Sequence, residues 1–256
     1  MSLMSLMSSP ASALAPAVGF VSAPPPHHAW VYLASQSPRR LQLLAQWGVA
    51  SVALLPDADE DAEALEAVRP KEAARAYVQR VTRLKARAAL ARAARRGVAP
   101  GLIVCADTTV ALGREILGKP SDAAHATAML QALSGQTHQV MTAVAVVRWD
   151  GVDAGAEVPV QLALSTSTVE MRRLRTEEVA CYVASGEPVG KAGAYAIQGA
   201  AALWVSRLSG SYTGIMGLPA YETGQVLAAA GLDVWQALAG HAAHEAPAPS
   251  KTTPHP

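Results

Sequence analysis

The aspartate at position 107 interrupts an apolar run, Leu-Ile-Val-Cys-Ala-Asp-Thr-Thr-Val-Ala-Leu over residues 102–112. A carboxylate there is costly to bury unless it is paired, metal-bound or protonated. Backbone N–H groups could satisfy it, or it is a reactive or metal-holding group, since perturbed carboxylates gather at active sites; we take the second reading. A second oddity is the stretch Ser35-Gln36-Ser37-Pro38-Arg39-Arg40. It reads as a helix start, with Ser37 as N-cap and Pro38 at the first helical position. The free N–H groups of a first helical turn are already positive, so two arginines cost the helix a few tenths of a kcal/mol unless an anion sits there. Lys85 lies at the edge of a helical apolar stripe, where it either snorkels past the sheet or joins other cations as a phosphate ligand. Lys119 means little alone. Lys191 and Gln198 flank the glycine-rich stretch of GEPVGKAGAYAIQG, where glycines permit close backbone approach to a ligand. A Gln amide there can read both donor and acceptor edges, as a base-recognising group must.

The acidic loop Asp57, Asp59, Glu60, Asp61 is either a solvated loop or the source of one carboxylate that joins Asp107 in holding Mg²⁺, a hard cation that takes oxygen ligands. His138, a single histidine, reads as structural. Cys105 and Cys181 read as buried and reduced, since neither has a spacing that suggests a disulfide or zinc set.

The elements that must position these groups follow from periodicity. Trp30–Ala34 reads as a buried strand, and the helix after Ser37 runs to Gly48. A long helix is expected from Pro70 to Gly97, its stripe formed by Ala74, Tyr77, Val78, Val81, Leu84 and Ala88. Leu102–Leu112 is a second strand, followed by a Gly113-Arg114 hairpin turn and a helix from Asp122 to Leu133. Val140–Trp149 and Val158–Glu170 form a strand pair around Asp150-Gly151. Thr176–Ser185 is a helix, Ala201–Arg207 a strand and Tyr221–Gly231 a last helix. Strands followed by helices, mixed with hairpins, indicate an α/β fold with a mixed sheet.

With 256 residues, 51% apolar and a formal net charge of +1, the chain can bury a sizeable core and has no field that draws it to nucleic acid or membrane. No apolar run approaches a membrane span. Residues 1–28 contain no Lys or Arg, unlike a signal peptide. They and residues 241–256 read by composition as disordered extensions around a domain spanning 29–240. There is no G-x-S-x-G elbow, no Walker A sequence and no strand-linked G-x-G-x-x-G, which excludes serine hydrolases, P-loop NTPases and Rossmann enzymes.

LASQSPRRLQLLAQWGV, RLKARAAL, ADTTVAL, GKPSDAAHATAMLQALSGQTHQVMTAVAV, YVASGEPVGKAGAYAIQG and GSYTGIMGLP occur in this order. Together they resemble the Maf family of nucleoside triphosphate pyrophosphatases over nearly all of Val31 to Leu227. The resemblance implies an inosine-triphosphatase-like α/β fold: a bent mixed β-sheet in two lobes, helices on both sides and a central substrate groove. It implies hydrolysis of a nucleoside triphosphate to the monophosphate and pyrophosphate with a divalent cation (Mg²⁺, Mn²⁺ or Co²⁺), in a cytoplasmic homodimer that binds no nucleic acid or membrane. It makes Asp107 the general base. It places Ser35, Ser37, Arg39, Arg40, Lys85 and Lys119 around the substrate, and gives the metal to Glu60 with Asp107. Thr108 after the aspartate and Lys191–Gly199 match the branch acting on dTTP and UTP, with Arg39, Thr108 and Gln198 at base-selecting positions and Arg40 at the phosphates. The related alternatives are a 7-methyl-GTP or non-canonical purine pyrophosphatase, and a nucleotide-binding regulator of septum formation without turnover.

Overall fold

The computed structural model describes residues 29–152, 158–236, 238 and 239. The expected extensions 1–28 and 241–256 lie outside the described residues. The chain begins with strand β1 (Trp30–Leu33), helix α1 (Pro38–Gln46) and strand β2 (Ala50–Ala53), the last unforeseen. Helix α2 (Ala74–Arg96) then packs along β3 (Gly101–Leu112), which turns into β4 (Glu115–Leu117). Helix α3 (Ala123–Leu133), the long hairpin β5 (Thr137–Trp149) and β6 (Gln161–Met171), and α4 (Thr176–Ala184) follow. The chain closes with β7 (Val205–Ser209), α5 (Tyr212–Met216) and α6 (Ala220–Ala229).

Local chemistry explains most of these limits. Pro38 opens α1 as expected, but Ser37 makes no side-chain cap; the Ser37 N–H instead donates to Ser35 Oγ at 3.2 Å. Helix α2 starts at Ala74 rather than Pro70 because Lys71 takes φ of +60°, incompatible with a right-handed helix. Its buried stripe also departs from expectation. Tyr77, Val78 and Val81 hold, but it continues through Ala86, Ala89 and Ala93 rather than Leu84 and Ala88. Alanines on that face let the helix lie close to the sheet. Ala201–Arg207 is not one strand: Ala200–Trp204 is 3-10 helix, with Ala201 and Trp204 buried and the two residues between them exposed, a period of three rather than two. Cys105 is buried, whereas Cys181 is exposed on α4, against expectation.

The sheet order is β2-β1-β3-β5-β6-β7, with β4 on β3. Strands β2, β1 and β3 run parallel; the other pairings are antiparallel. This is the expected mixed α/β sheet with helices on both faces. On one face, α2 packs on Ile103, Cys105, Ala145 and Val147. On the other, Leu43 and Leu44 of α1 and Val226 and Leu227 of α6 cover Val31, Val104 and Val144. A separate cluster forms the second lobe, where Leu130 and Leu133 of α3 and Tyr182 of α4 meet Val110, Val140 and Trp204. A fully buried leucine such as Leu44, Leu130 or Leu227 contributes about 2 kcal/mol.

Strand β3 joins the lobes and makes the opening between them. Strand β1 pairs with it only at Ile103 and Val104, and β4 only from Val110 to Leu112. Between these, the middle of β3 has β5 on one side and neither β1 nor β4 on the other. Asp107 and Thr108 sit in that gap.

Candidate active site

Successive side chains of a strand point to opposite faces, so β3 divides the site. Asp107 shares a face with Ile103 and Cys105 and meets α2. Thr108 shares the opposite face and meets α1 and α5.

On the α2 face the site is ionic. Lys85 Nζ lies 2.6 Å from Asp107 Oδ1 and 2.7 Å from Glu66 Oε1, and Lys119 Nζ lies 2.8 Å from Glu66 Oε2. Lys85, on α2, thus faces the sheet and bridges two carboxylates. Asp107 is 7% exposed, and the pairing answers the cost of burying it. Burial works to raise the Glu66 pKa, but Lys85 and Lys119 outweigh it and hold it below the ordinary glutamate value. Tyr77 O–H donates to the Glu66 carbonyl at 2.8 Å, fixing that residue on the start of α2. Burial, then Asp107 and Glu66, push the Tyr77 hydroxyl up to about 12, which keeps it a donor.

Glu60 is elsewhere. Arg92, itself 3% exposed, grips it with two hydrogen bonds at 2.9 and 2.5 Å, and Arg95 adds a third at 2.5 Å. Hydrogen bonding to Arg92 leads the causes that hold Glu60 down at about 2. With its oxygens committed to two guanidinium groups, Glu60 pins the acidic loop to the end of α2. The structure does not bring Glu60 to Asp107; the carboxylate beside Asp107 is Glu66, a residue the acidic-loop reading missed. Asp57 is likewise bound to Arg95 and Arg96.

On the other face the groups are neutral hydroxyls and carbonyls around two arginines. Arg40 Nε donates to the Gly217 carbonyl at 2.7 Å, NH1 to Ser35 Oγ at 2.9 Å and NH2 to Thr108 Oγ1 at 3.4 Å. Arg39 Nε donates to the Met216 carbonyl at 3.1 Å. The two arginines that looked misplaced at the start of α1 therefore cap the carbonyl end of α5, where cations are favoured. Gly217 has φ of +115°, a backbone conformation that side-chain-bearing residues rarely adopt, so the turn that brings its carbonyl to Arg40 favours glycine. Arg40 spends three of its five N–H donors, leaving one on each terminal nitrogen as a fork suited to phosphate oxygens. Burial lowers the Arg40 pKa and Asp107 opposes that; burial likewise lowers that of Arg39, with Tyr182 opposing.

The two arginines have different neighbours. Arg40 feels Asp107 and Glu66, while Arg39 feels Tyr182 and is felt by Lys191. Lys191 is held by the carbonyl oxygens of Glu187 and Val189, and its pKa is lowered by burial and then by Arg39. Gln198 is exposed on the loop that Glu187 clasps. Glu187 Oε1 accepts from Tyr182 O–H at 2.9 Å and Oε2 from the Ala200 N–H at 3.4 Å. A Cβ on Gly199 would lie 1.9 Å from Glu187 Oε1, so a glycine is what admits that carboxylate. His138 is buried, with Nε2 2.8 Å from Tyr195 Oη, a structural place as expected.

No group of three or more His, Cys, Asp or Glu side chains is placed to hold a metal among the described residues. Nor is any helix among them long and apolar enough to cross a membrane.

The chain is similar to several known proteins. A dTTP/UTP pyrophosphatase of Albidiferax ferrireducens is 56% identical over 205 residues, covering 80% of this chain and 98% of the relative. One from a Polaromonas species is 58% identical over 205 residues with the same coverage. Among solved structures, a nucleoside-triphosphatase (dITP/XTP pyrophosphatase) from Mycobacterium abscessus aligns over 57% of this chain and 75% of its own, at 19% identity and a TM-score of 0.36. The family model described as Maf-like protein matches residues 30–230, the span that carries both faces of the site, and the chain belongs to that family.

Proposed function

We propose that the chain hydrolyses dTTP and UTP to the nucleoside monophosphate and pyrophosphate, a house-cleaning activity on the nucleotide pool. The observation that carries this is the convergence of Asp107, Glu66, Lys85, Lys119 and the Arg40 fork on one gap in the sheet, in a chain closely similar to enzymes named for that reaction. In this reading Asp107 accepts the proton of the water that attacks the α-phosphorus. Arg40, Ser35 and Lys119 bind phosphate oxygens, while Arg39, Lys191 and Gln198 face the base. The rate gain is mainly positioning and charge stabilisation.

A divalent cation fits the α2 face. The Lys85 ammonium already stands between Glu66 and Asp107, so the two carboxylates accommodate positive charge there, and both offer the oxygen donors that Mg²⁺, Mn²⁺ or Co²⁺ takes. Glu66 with Asp107 would hold it, in place of the Glu60 expected from the sequence. Once bound, the cation supplies charge against the phosphate oxygens. A soluble cytoplasmic homodimer completes the proposal.

The test is a panel of UTP, dTTP, CTP, GTP, ITP and 7-methyl-GTP, scored by kcat/KM with and without metal. Pyrophosphate release strongest with UTP and dTTP is expected. A preference for 7-methyl-GTP or ITP, or binding without turnover, would overturn it.

A further inference from the structure

We propose that Thr142 is a positioning residue: by fixing the direction of a chain of hydroxyl groups, it holds the Arg40 fork in place. The proposal rests on the reading of this face as a phosphate cradle. Thr108 of β3 and Thr142 of β5 lie directly opposite in register, and their Oγ1 atoms are 2.9 Å apart. That distance alone does not say which hydroxyl donates. The next contact does. Thr142 Oγ1 lies 2.6 Å from the carbonyl oxygen of Gly214, which has no proton, so Thr142 must give its single proton there. Thr108 must then give its own proton to Thr142. Nothing but lone pairs remains on Thr108 Oγ1, and these face Arg40 NH2 at 3.4 Å.

The direction of the chain is therefore Arg40 to Thr108 to Thr142 to Gly214. Reversed, Thr142 would have no proton left for the Gly214 carbonyl oxygen 2.6 Å away. Thr142 is 1% exposed and touches no ligand position, so it acts only through Thr108.

Ser35 is polarised the other way. Its oxygen accepts from the Ser37 N–H at 3.2 Å and from Arg40 NH1 at 2.9 Å, which leaves its proton free to be given to an anion. Two hydroxyls on either side of one guanidinium thus play opposite parts. Ser35 offers a donor to phosphate oxygens, and Thr108 offers only lone pairs that repel them. An incoming phosphate is steered onto the fork and Ser35, away from Thr108.

The test measures anion binding separately from turnover in the full chain. Tripolyphosphate is titrated by calorimetry, and KM and kcat are measured with UTP. Thr142→Val keeps the shape and removes the hydroxyl; Gly214 O still accepts from the Gly217 N–H at 2.9 Å, so α5 keeps that contact. The expected result is tripolyphosphate binding weakened and KM raised, each by about tenfold, with kcat within about twofold, as for an interaction made equally in ground and transition states. Thr142→Ser, which restores the chain, is expected within about twofold of wild type on both readouts. A valine variant that melts at lower temperature yet binds tripolyphosphate and UTP like wild type would make Thr142 merely structural and overturn the proposal. So would a serine variant as impaired as the valine one. If valine crowds the site and the chain does not fold, Thr142→Ala carries the same expectations. Should wild type hydrolyse none of the nucleotides, the proposed function fails, while tripolyphosphate binding still judges Thr142.

Discussion

Glu60 and Glu66 stand in one loop of the same acidic character, and packing gives them opposite work. Glu60 is clamped by Arg92 and Arg95, and every strong contact it makes is internal. Glu66 shares its two oxygens between Lys85 and Lys119, one step from Asp107. Its side chain is 25% exposed and that of Lys119 47%, so solvent and ligand reach them. A carboxylate that faces arginine forks along the last turns of a helix anchors a loop. One that faces lysines at a gap in the sheet can exchange partners when a ligand arrives, because an ammonium is a point charge that gives way more easily than a bidentate fork.

The comparison breaks most severely at Asp107. Asp107→Asn keeps the shape but cannot take a proton, and kcat is expected to fall by about 1000-fold with the circular dichroism spectrum unchanged; full activity would remove Asp107 from the reaction. The two glutamates come next. Glu66→Gln is expected to lower kcat/KM by about 100-fold while the melting temperature moves little. Glu60→Gln should do the reverse, leaving kcat/KM near wild type but costing about 3 kcal/mol of stability, because it strips the charge partner from buried Arg92. Denaturant melts alongside kinetics check both, and a Glu60 variant that loses activity without stability would put Glu60 back in the site.

A smaller effect comes from His138, in the second lobe and away from either face. Burial pushes its pKa down to about 4, and its buried Nδ1 has no hydrogen-bond partner among the described residues. The native state binds fewer protons there than the unfolded chain, so its contribution is intact above pH 6.5 and is lost as pH falls from 6.5 toward 4. About 3 kcal/mol is at stake, read as the difference between wild type and His138→Gln in melts from pH 4 to 7.5. A constant difference would show that His138 does not titrate in this way. The smallest effect is at Arg39. Arg39→Ala should raise KM by about tenfold and narrow the gap between UTP and CTP; a change confined to kcat would move Arg39 away from the base.

Much of this was legible along the chain because local patterns carried it. Asp107 stood out because a carboxylate in an apolar run is costly, and it does lie in a strand with a cation against it. The limits of α1, α3 and β3 follow from Pro38, the Asp122 cap and an apolar run, all readable within a few residues. Glu66 was not legible, since the residues around the two glutamates do not differ enough to tell them apart. Nor was the stripe of α2, where alternating alanine and arginine allow two neighbouring faces. The strand read at Ala201 failed because a short apolar run does not reveal whether its period is two or three.

The amino-acid sequence by itself determined which groups were available: a buried aspartate, two arginines against the helix rule, lysines at positions 85, 119 and 191, and glycines where backbones come close. Those are consequences of burial cost and local geometry, which act within a few residues. Only the tertiary structure decided their partners. It set Arg39 and Arg40 on the carbonyls of α5, chose Glu66 over Glu60 beside Asp107, and aligned Thr108 with Thr142 across β3 and β5. The reason is that hydrogen bonds and ion pairs are short-ranged and directional. Which groups meet depends on strand register and helix placement, and those are fixed only when the distant parts of the chain pack together.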